Sequence, residues 1–220
     1  MPEVLLTDID GTLVDSNALH AESWRRTFEH FGIQIGMDEA WRQIGKGGDQ
    51  LIPVFVPEAD RERLEKPLKE LRKEIFHRDY IHRIVPFSQS RDLLAYVKGQ
   101  GIRIALATSS EEEDIPTYSK IVGMENLFEQ AATQADAGSS KPDPGIFLAA
   151  LKKMGTRAEQ AIALGDTPYD AEAAGKAGIR TIGLTCGGWK RDDLRDAGCI
   201  EVYNDPGDLL RRFSESALAK

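Results

Sequence analysis

Asp8 and Asp10 stand two residues apart behind the apolar run Val4-Leu5-Leu6, and Gly11-Thr12 follows at once. In an extended segment, side chains two apart share a face, so both carboxylates point the same way. Gly11 lets the backbone turn sharply and bring amide groups close to an anion. Further along, the apolar stretch Ile102–Ala107 ends in Thr108-Ser109-Ser110, and Ala161–Leu164 ends in Gly165-Asp166-Thr167-Pro168-Tyr169-Asp170. Between them, Ser140-Lys141-Pro142 precedes a helical pattern. Asp8, Asp10 and Asp166 in one small space would repel one another unless a cation lay among them. Hard oxygen ligands with room for water and phosphate suit Mg²⁺. Lys141 adds a full positive charge. Ser110 and Glu113 have capping-box spacing, and a helix starting there would aim its amides at a phosphate. Together these residues describe an anion pocket beside a carboxylate-held metal.

Such residues converge only if strand ends bring them to one edge. Strand-like runs at 4–6, 102–107, 127–132, 161–164, 181–184 and 200–203 alternate with helical patterns at 92–98, 146–154, 170–177 and 192–197. That alternation predicts right-handed crossovers and a doubly wound parallel sheet covered on both faces, a Rossmann-like α/β core. Ligands bind such sheets at the carboxyl ends of the strands, where every motif above falls. Thr167 reads as an N-cap, with Pro168 at the first helical position. The residues from Ser16 to Val85 hold no convincing strand. Trp24, Phe28 and Phe31 share one helix face before Gly32, and Leu64, Leu68, Leu71 and Ile75 share another. Pro67 in that second pattern implies a kink or a fresh helix start. The charge run Arg61 to Glu74 reads as a solvated face. The expected organisation is a core of residues 1–15 and 86–220 with a helical insertion at 16–85.

Composition narrows the partners. The chain has 220 residues, and 28 basic against 36 acidic side chains give a net charge of −8, which argues against nucleic acid. No apolar stretch is long enough for a membrane span, and no basic segment with an apolar run opens the chain. Cys186 and Cys199 are the only cysteines, too few for a disulfide framework or a cysteine-rich zinc site, which suits a reduced, cytoplasmic setting. His77 and His82 miss the spacing of a helical metal pair and have no acidic motif beside them.

Asp8-Ile9-Asp10-Gly11-Thr12-Leu13-Val14-Asp15-Ser16 resembles the first motif of the haloacid dehalogenase-like hydrolases. Thr108, Lys141 and Gly165-Asp166-x-x-x-Asp170 are similar to the second, third and fourth motifs, in order. The insertion after the first motif resembles the helical-cap subfamily of phosphoglycolate phosphatases and beta-phosphoglucomutases. The resemblance implies Asp8 as nucleophile and an aspartyl-phosphate, and Asp10 as general acid and base with a pKa nearer neutrality than a free aspartate has. It implies Mg²⁺ on Asp8, the Asp10 carbonyl and Asp166, with Asp170 steadying the metal waters or Lys141. Gly11, Thr12, Thr108, Ser109 and Lys141 would hold the phosphoryl oxygens.

Dehalogenases proper and phosphonoacetaldehyde hydrolases lack a carboxylate at the position of Asp10. Mutases of the subfamily usually show Glu-Asp where this chain has Gly165-Asp166, and an arginine about where Gly48 falls. The expected activity is therefore hydrolysis of a small phosphorylated metabolite by a monomer or homodimer. A sugar phosphomutase or a phosphate sensor without turnover are the alternatives. Gly45-Lys46-Gly47-Gly48-Asp49 resembles the cap's specificity loop, with Lys46 placed to reach an acidic part of the substrate and Gly47 allowing close approach. His20 lies near the hinge at Asp15–Asn17, whose counterpart is Val85–Phe87, and could line the cleft. Trp189 could cover the active edge.

Overall fold

The computed structural model describes residues 1–220. Six strands form one parallel sheet: β1 (Val4–Thr7), β4 (Arg103–Ala107), β5 (Gln130–Ala132), β6 (Ala161–Gly165), β7 (Arg180–Leu184) and β8 (Cys199–Tyr203), in the spatial order β5-β4-β1-β6-β7-β8. Val4 pairs with Arg103 on one side and Ala161 on the other, so β1 is central and the winding reverses beside it. The crevice beyond its carboxyl end is where a doubly wound sheet binds its ligand.

The two faces differ in grain. Leu5, Ile104, Leu106, Ile162 and Leu164 point into the larger core, which also takes side chains from α5 (Ser90–Gly99), α6 (Ile115–Val122) and α10 (Pro206–Arg211). Val4, Leu6, Ala105, Ala107, Ala132, Ala161 and Ala163 point the other way, against α7 (Gly145–Met154) and α8 (Pro168–Lys176). Alanines on this face let those helices lie close on the sheet, and Ala150, Ala173 and Ala174 answer from the helix side. Burial on both faces explains why the strands read as continuous apolar runs. Helix α9 (Arg191–Asp196) covers β8, largely through Leu194.

Between β2 (Val14–Asp15) and β3 (Val85–Pro86) the chain is helical: α1 (Asn17–His30), α2 (Met37–Trp41), α3 (Gly48–Phe55), α4 (Glu58–Asp79) and a short turn of helix at Ile81–Arg83. β2 and β3 pair antiparallel, placing the two expected hinges side by side. Gly32 takes a φ of +77° just after α1, as a helix stop requires. Pro67 does not break α4, which runs unbroken for 22 residues. The apolar stripe of α4 divides between two cores. Leu64 and Leu68 join Trp24, Phe28, Leu51 and Ile52 in a core of the insertion's own, whereas Ile75 and Phe76 join the larger core beneath the sheet.

One expectation is corrected here. No helix starts at Ser110; a short turn at Glu112–Asp114 precedes α6, whose first turn contains Pro116. The Ser110 hydroxyl donates to Asp10 and the Ser110 N–H to Thr108 Oγ1, so neither group caps a helix.

Candidate active site

Of the four carboxylates expected at the strand ends, Asp8, Asp166 and Asp170 lie together, whereas Asp10 does not join them. Asp8, one residue past β1, is 4 % exposed, and Lys141 is 1 % exposed. The Lys141 Nζ lies 2.8 Å from Asp8 Oδ1 and 2.7 Å from Asp170 Oδ1, and donates to the Ala107 carbonyl at 2.8 Å. Burial alone would strip the proton from Lys141, but Asp170 and Asp8 outweigh it and hold the ammonium more firmly than in a free lysine. Burial pushes Asp8 up; Lys141 partly offsets this, while Asp170 and Asp10 add to the rise, and the carboxyl settles at about 7.

Asp166 Oδ1 accepts from the Thr12 hydroxyl at 2.8 Å, and Oδ2 from Asn17 Nδ2 at 2.9 Å. Two glycines cradle it. A Cβ on Gly11 would sit 2.2 Å from Asp166 Oδ2, and one on Gly187 only 1.8 Å away. Burial, then Asp170 and Asp8, push Asp166 well above the ordinary carboxylate range, with Asn17 and Thr12 giving partial relief. One oxygen each of Asp8, Asp166 and Asp170 lie within 4.8 Å of one another. Three crowded, dehydrated oxygen donors fit a hard divalent cation. Asp170 is also engaged elsewhere, its Oδ2 accepting from the Thr167 N–H at 3.0 Å and hydroxyl at 2.7 Å. The first of these, with the Asp170 N–H donating to Thr167 Oγ1 at 3.2 Å, makes the capping box of α8, as Thr167 and Pro168 imply.

Asp10 sits apart from this trio. Its Oδ1 accepts from Ser16 Oγ at 2.6 Å and lies 2.9 Å from His20 Nε2, while Oδ2 accepts from Ser110 Oγ at 2.6 Å. Burial works against its charge, yet His20 and these hydrogen bonds prevail and hold it well below the usual carboxylate range. A pKa near neutrality at Asp10 is thus not what this arrangement produces; the carboxyl shifted toward neutrality is Asp8. His20 stacks on Phe76 with ring centres 4.2 Å apart, and its Nδ1 meets the Arg72 guanidinium. Tyr118 Oη lies 3.4 Å from His20 Nε2. Arg72 comes from the run read as a solvated face, but it turns inward, with Nε buried and without a partner.

A cavity of about 110 Å³ lies between sheet edge and insertion, with Asp8, Asp10, Thr108, Ser109 and Ser110 on one side and Trp24, Lys46, Gly47, Lys69 and Arg72 on the other; Lys141, Asp166 and Asp170 lie behind Asp8 and do not line it. Gly11 and Thr12 are not among its lining residues. Their N–H groups donate to Val14 and Ile9 carbonyls, so the expected anion contacts are replaced by support of Asp166. Ser109 Oγ donates to the Gly45 carbonyl at 3.2 Å. Lys46 Nζ donates to Gln43 Oε1 at 2.6 Å and lies 4.6 Å from the Tyr169 ring centre. Gly47 makes its close approach to Ser140, whose Oγ would be 2.0 Å from an added Cβ. Trp189 packs on Trp41 and Tyr169 at 5.3 and 6.1 Å between ring centres, bridging insertion and core. His77 does have acidic neighbours, with Asp114 Oδ1 2.9 Å from its Nε2 and Glu113 beside it, both from across the cleft. Asn17, Arg72 and Tyr118 carry no motif signal, and the bonds of Ser16 and Ser110 to Asp10 come to light only on folding.

A phosphorylated carbohydrates phosphatase of Thermotoga maritima is 27 % identical over 97 % of this chain and 99 % of its own. A phosphoglycolate phosphatase of Colwellia psychrerythraea is 29 % identical over 96 % and 97 %. The crystal structure of a hydrolase from Pseudomonas syringae superposes with a TM-score of 0.86 at 27 % identity, covering 99 % of this chain and all of that one. No helix is long and apolar enough to cross a membrane. The family model described as haloacid dehalogenase-like hydrolase matches residues 5–184, and the chain belongs to that family of hydrolases.

Proposed function

We propose that the chain is a Mg²⁺-dependent phosphatase acting on a small phosphomonoester, with residues 16–85 as a cap over a core of 1–15 and 86–220. The observation that carries this reading is the buried Asp8, clamped by Lys141 and crowded by Asp166, which lines a small cavity together with Asp10. An Asp8 oxygen attacks phosphorus, the ester P–O bond breaks, and the departing oxygen takes a proton from Asp10. Water then attacks the aspartyl-phosphate while Asp10 takes its proton, and inorganic phosphate leaves. As held here, Asp10 is ionised, the form the second step needs. To serve the first it must gain a proton, and the contacts from Ser16, His20 and Ser110 are what must loosen.

Asp8, the Asp10 carbonyl and Asp166 would hold the cation, which when bound supplies positive charge to the phosphoryl oxygens and keeps Asp8 ionised. Thr108, Ser109 and Lys141 balance charge on the transferring group, and Asp170 fixes Lys141. On the cap side, Lys46, Lys69 and Arg72 suit a substrate with a second anionic or strongly hydrated part. Phosphate release from p-nitrophenyl phosphate and from a panel of phosphorylated metabolites tests the proposal. Release should require Mg²⁺, vanish in Asp8→Asn and fall steeply in Asp10→Asn. Turnover that survives Asp8→Asn refutes the covalent route. Isomerisation of a hexose 1-phosphate would instead mark a mutase.

A further inference from the structure

Lys141 is held at its tip by Asp8 and Asp170, and the backbone N–H of the residue before it, Ser140, is held by the cap. Asp49, in the first turn of α3, reaches across the cleft. Its Oδ2 accepts from the Ser140 N–H at 3.0 Å and lies 3.4 Å from Ser139 Oγ, and its Oδ1 accepts from Gln134 Nε2 at 3.2 Å. Gln50 Nε2 donates to Ser139 Oγ at 2.6 Å, and Gly47 packs on Ser140, so the same cap turn grips Ser139 and Ser140 through three of its residues. Ser140 is fully buried under the cap turn and directly precedes Lys141. No other residue of the cap contacts the segment that carries the lysine through a charged group.

We infer that Asp49 is a positioning residue that couples cap closure to catalysis, by fixing the peptide that carries Lys141 only when the cap is shut. This rests on the phosphatase reading above. When the cap opens for substrate to enter, the Ser140 N–H loses its acceptor, and the backbone beside Lys141 is left with only the lysine tip's core contacts to fix it. Small displacements of a charge-balancing group are expensive, because its worth depends on meeting the phosphoryl oxygens at hydrogen-bond distance. A residue that only glued the cap shut would act on substrate capture, whereas Asp49 acts on the chemical step through Lys141.

The test compares Asp49→Ala, Asp49→Asn, Lys141→Ala and the double variant with p-nitrophenyl phosphate under saturating Mg²⁺, alongside amide exchange of the segment 138–142. Asp49→Ala should lower kcat about 10- to 100-fold with KM nearly unchanged, and Asp49→Asn, which keeps an acceptor oxygen, should recover most of the loss. In the Lys141→Ala background, adding Asp49→Ala should change the residual rate by less than about twofold, since groups acting as a unit are not additive. The Ser140 amide should exchange faster in Asp49→Ala than in the parent protein. An effect on KM alone, a loss that adds fully to that of Lys141→Ala, or unchanged exchange at Ser140 overturns the inference. A parent protein that releases no phosphate defeats the functional reading instead, while the exchange comparison still reports on the Asp49 contact.

Discussion

Replacing Lys141 by methionine removes the charge and keeps the stem. Coulomb's law at the 2.8 Å separation from Asp8, with an effective dielectric of about 20, gives roughly 6 kcal/mol of attraction. Asp170 adds a similar amount at 2.7 Å. Taking each ion out of water costs several kcal/mol, so the intact cluster contributes little net stability. Removing only the cation leaves the carboxylates dehydrated with nothing returned, a loss of about 3–5 kcal/mol. Methionine is close to lysine in volume, so little cavity loss adds to this, although the ammonium's place over the Phe147 ring, 5.5 Å from its centre, is lost too. For a chain of this size the loss corresponds to a Tm lower by about 6–20 °C.

The loss should depend on pH. Asp8, at about 7, and Asp166 already sit above their ordinary values, and without Lys141 the lowering influence on Asp8 is gone. The folded variant then binds more protons than the unfolded chain, so its stability falls as pH rises through that region. The deficit against the parent protein should be largest near pH 8 and shrink toward pH 5. Urea unfolding followed by tryptophan fluorescence, with chelator present, measures it. A variant as stable as the parent at pH 8, or a deficit that grows on acidification, would refute the reasoning.

Other expectations follow from single contacts. Gly187→Ala drives a methyl group into Asp166, so the Mg²⁺ concentration for half-maximal activity should rise about 10- to 100-fold with little change in far-UV circular dichroism. Thr12→Val deletes the hydroxyl that donates to Asp166 Oδ1 and should raise the half-maximal Mg²⁺ concentration by about tenfold in the same titration. Burial, then Asp166 and Asp205, push the Cys186 thiol far up, and burial, then Asp170, carries Cys199 to about 12. At pH 8 both remain thiols, so iodoacetamide should label neither until the protein is unfolded, as intact mass will show.

The motifs were legible because each lies just beyond a strand or, for Lys141, just before a helix, and a parallel sheet delivers these ends to one edge. Asp8, Lys141, Asp166 and Asp170 meet for that reason. The surroundings of Asp10 were not legible, since Ser16, His20 and Ser110 reach it from a hinge, a cap helix and a loop after β4. Arg72 was hidden by its neighbours: among so many exposed charges on α4, nothing local marks the one that turns inward. Pro67 misled differently, because tertiary packing of Leu64 and Leu68 outweighs the one hydrogen bond the ring removes. Ser110 and Glu113 had the right spacing for a cap, but stronger partners in Asp10 and Lys73 claimed both side chains.

The two-residue ribbon of β2 and β3 has an evolutionary consequence. Because Val14 faces Pro86 and Asp15 faces Val85, the excursion leaves and rejoins the sheet at adjoining points, like a cassette in a slot. Its length and shape can drift, or be exchanged wholesale, without shifting the register of β1 against its neighbours. Selectivity can therefore be rewritten while the reacting carboxylate stays put. The slot is keyed, however: any replacement must bring substitutes for Ile75 and Phe76, which plug the underside of the larger core.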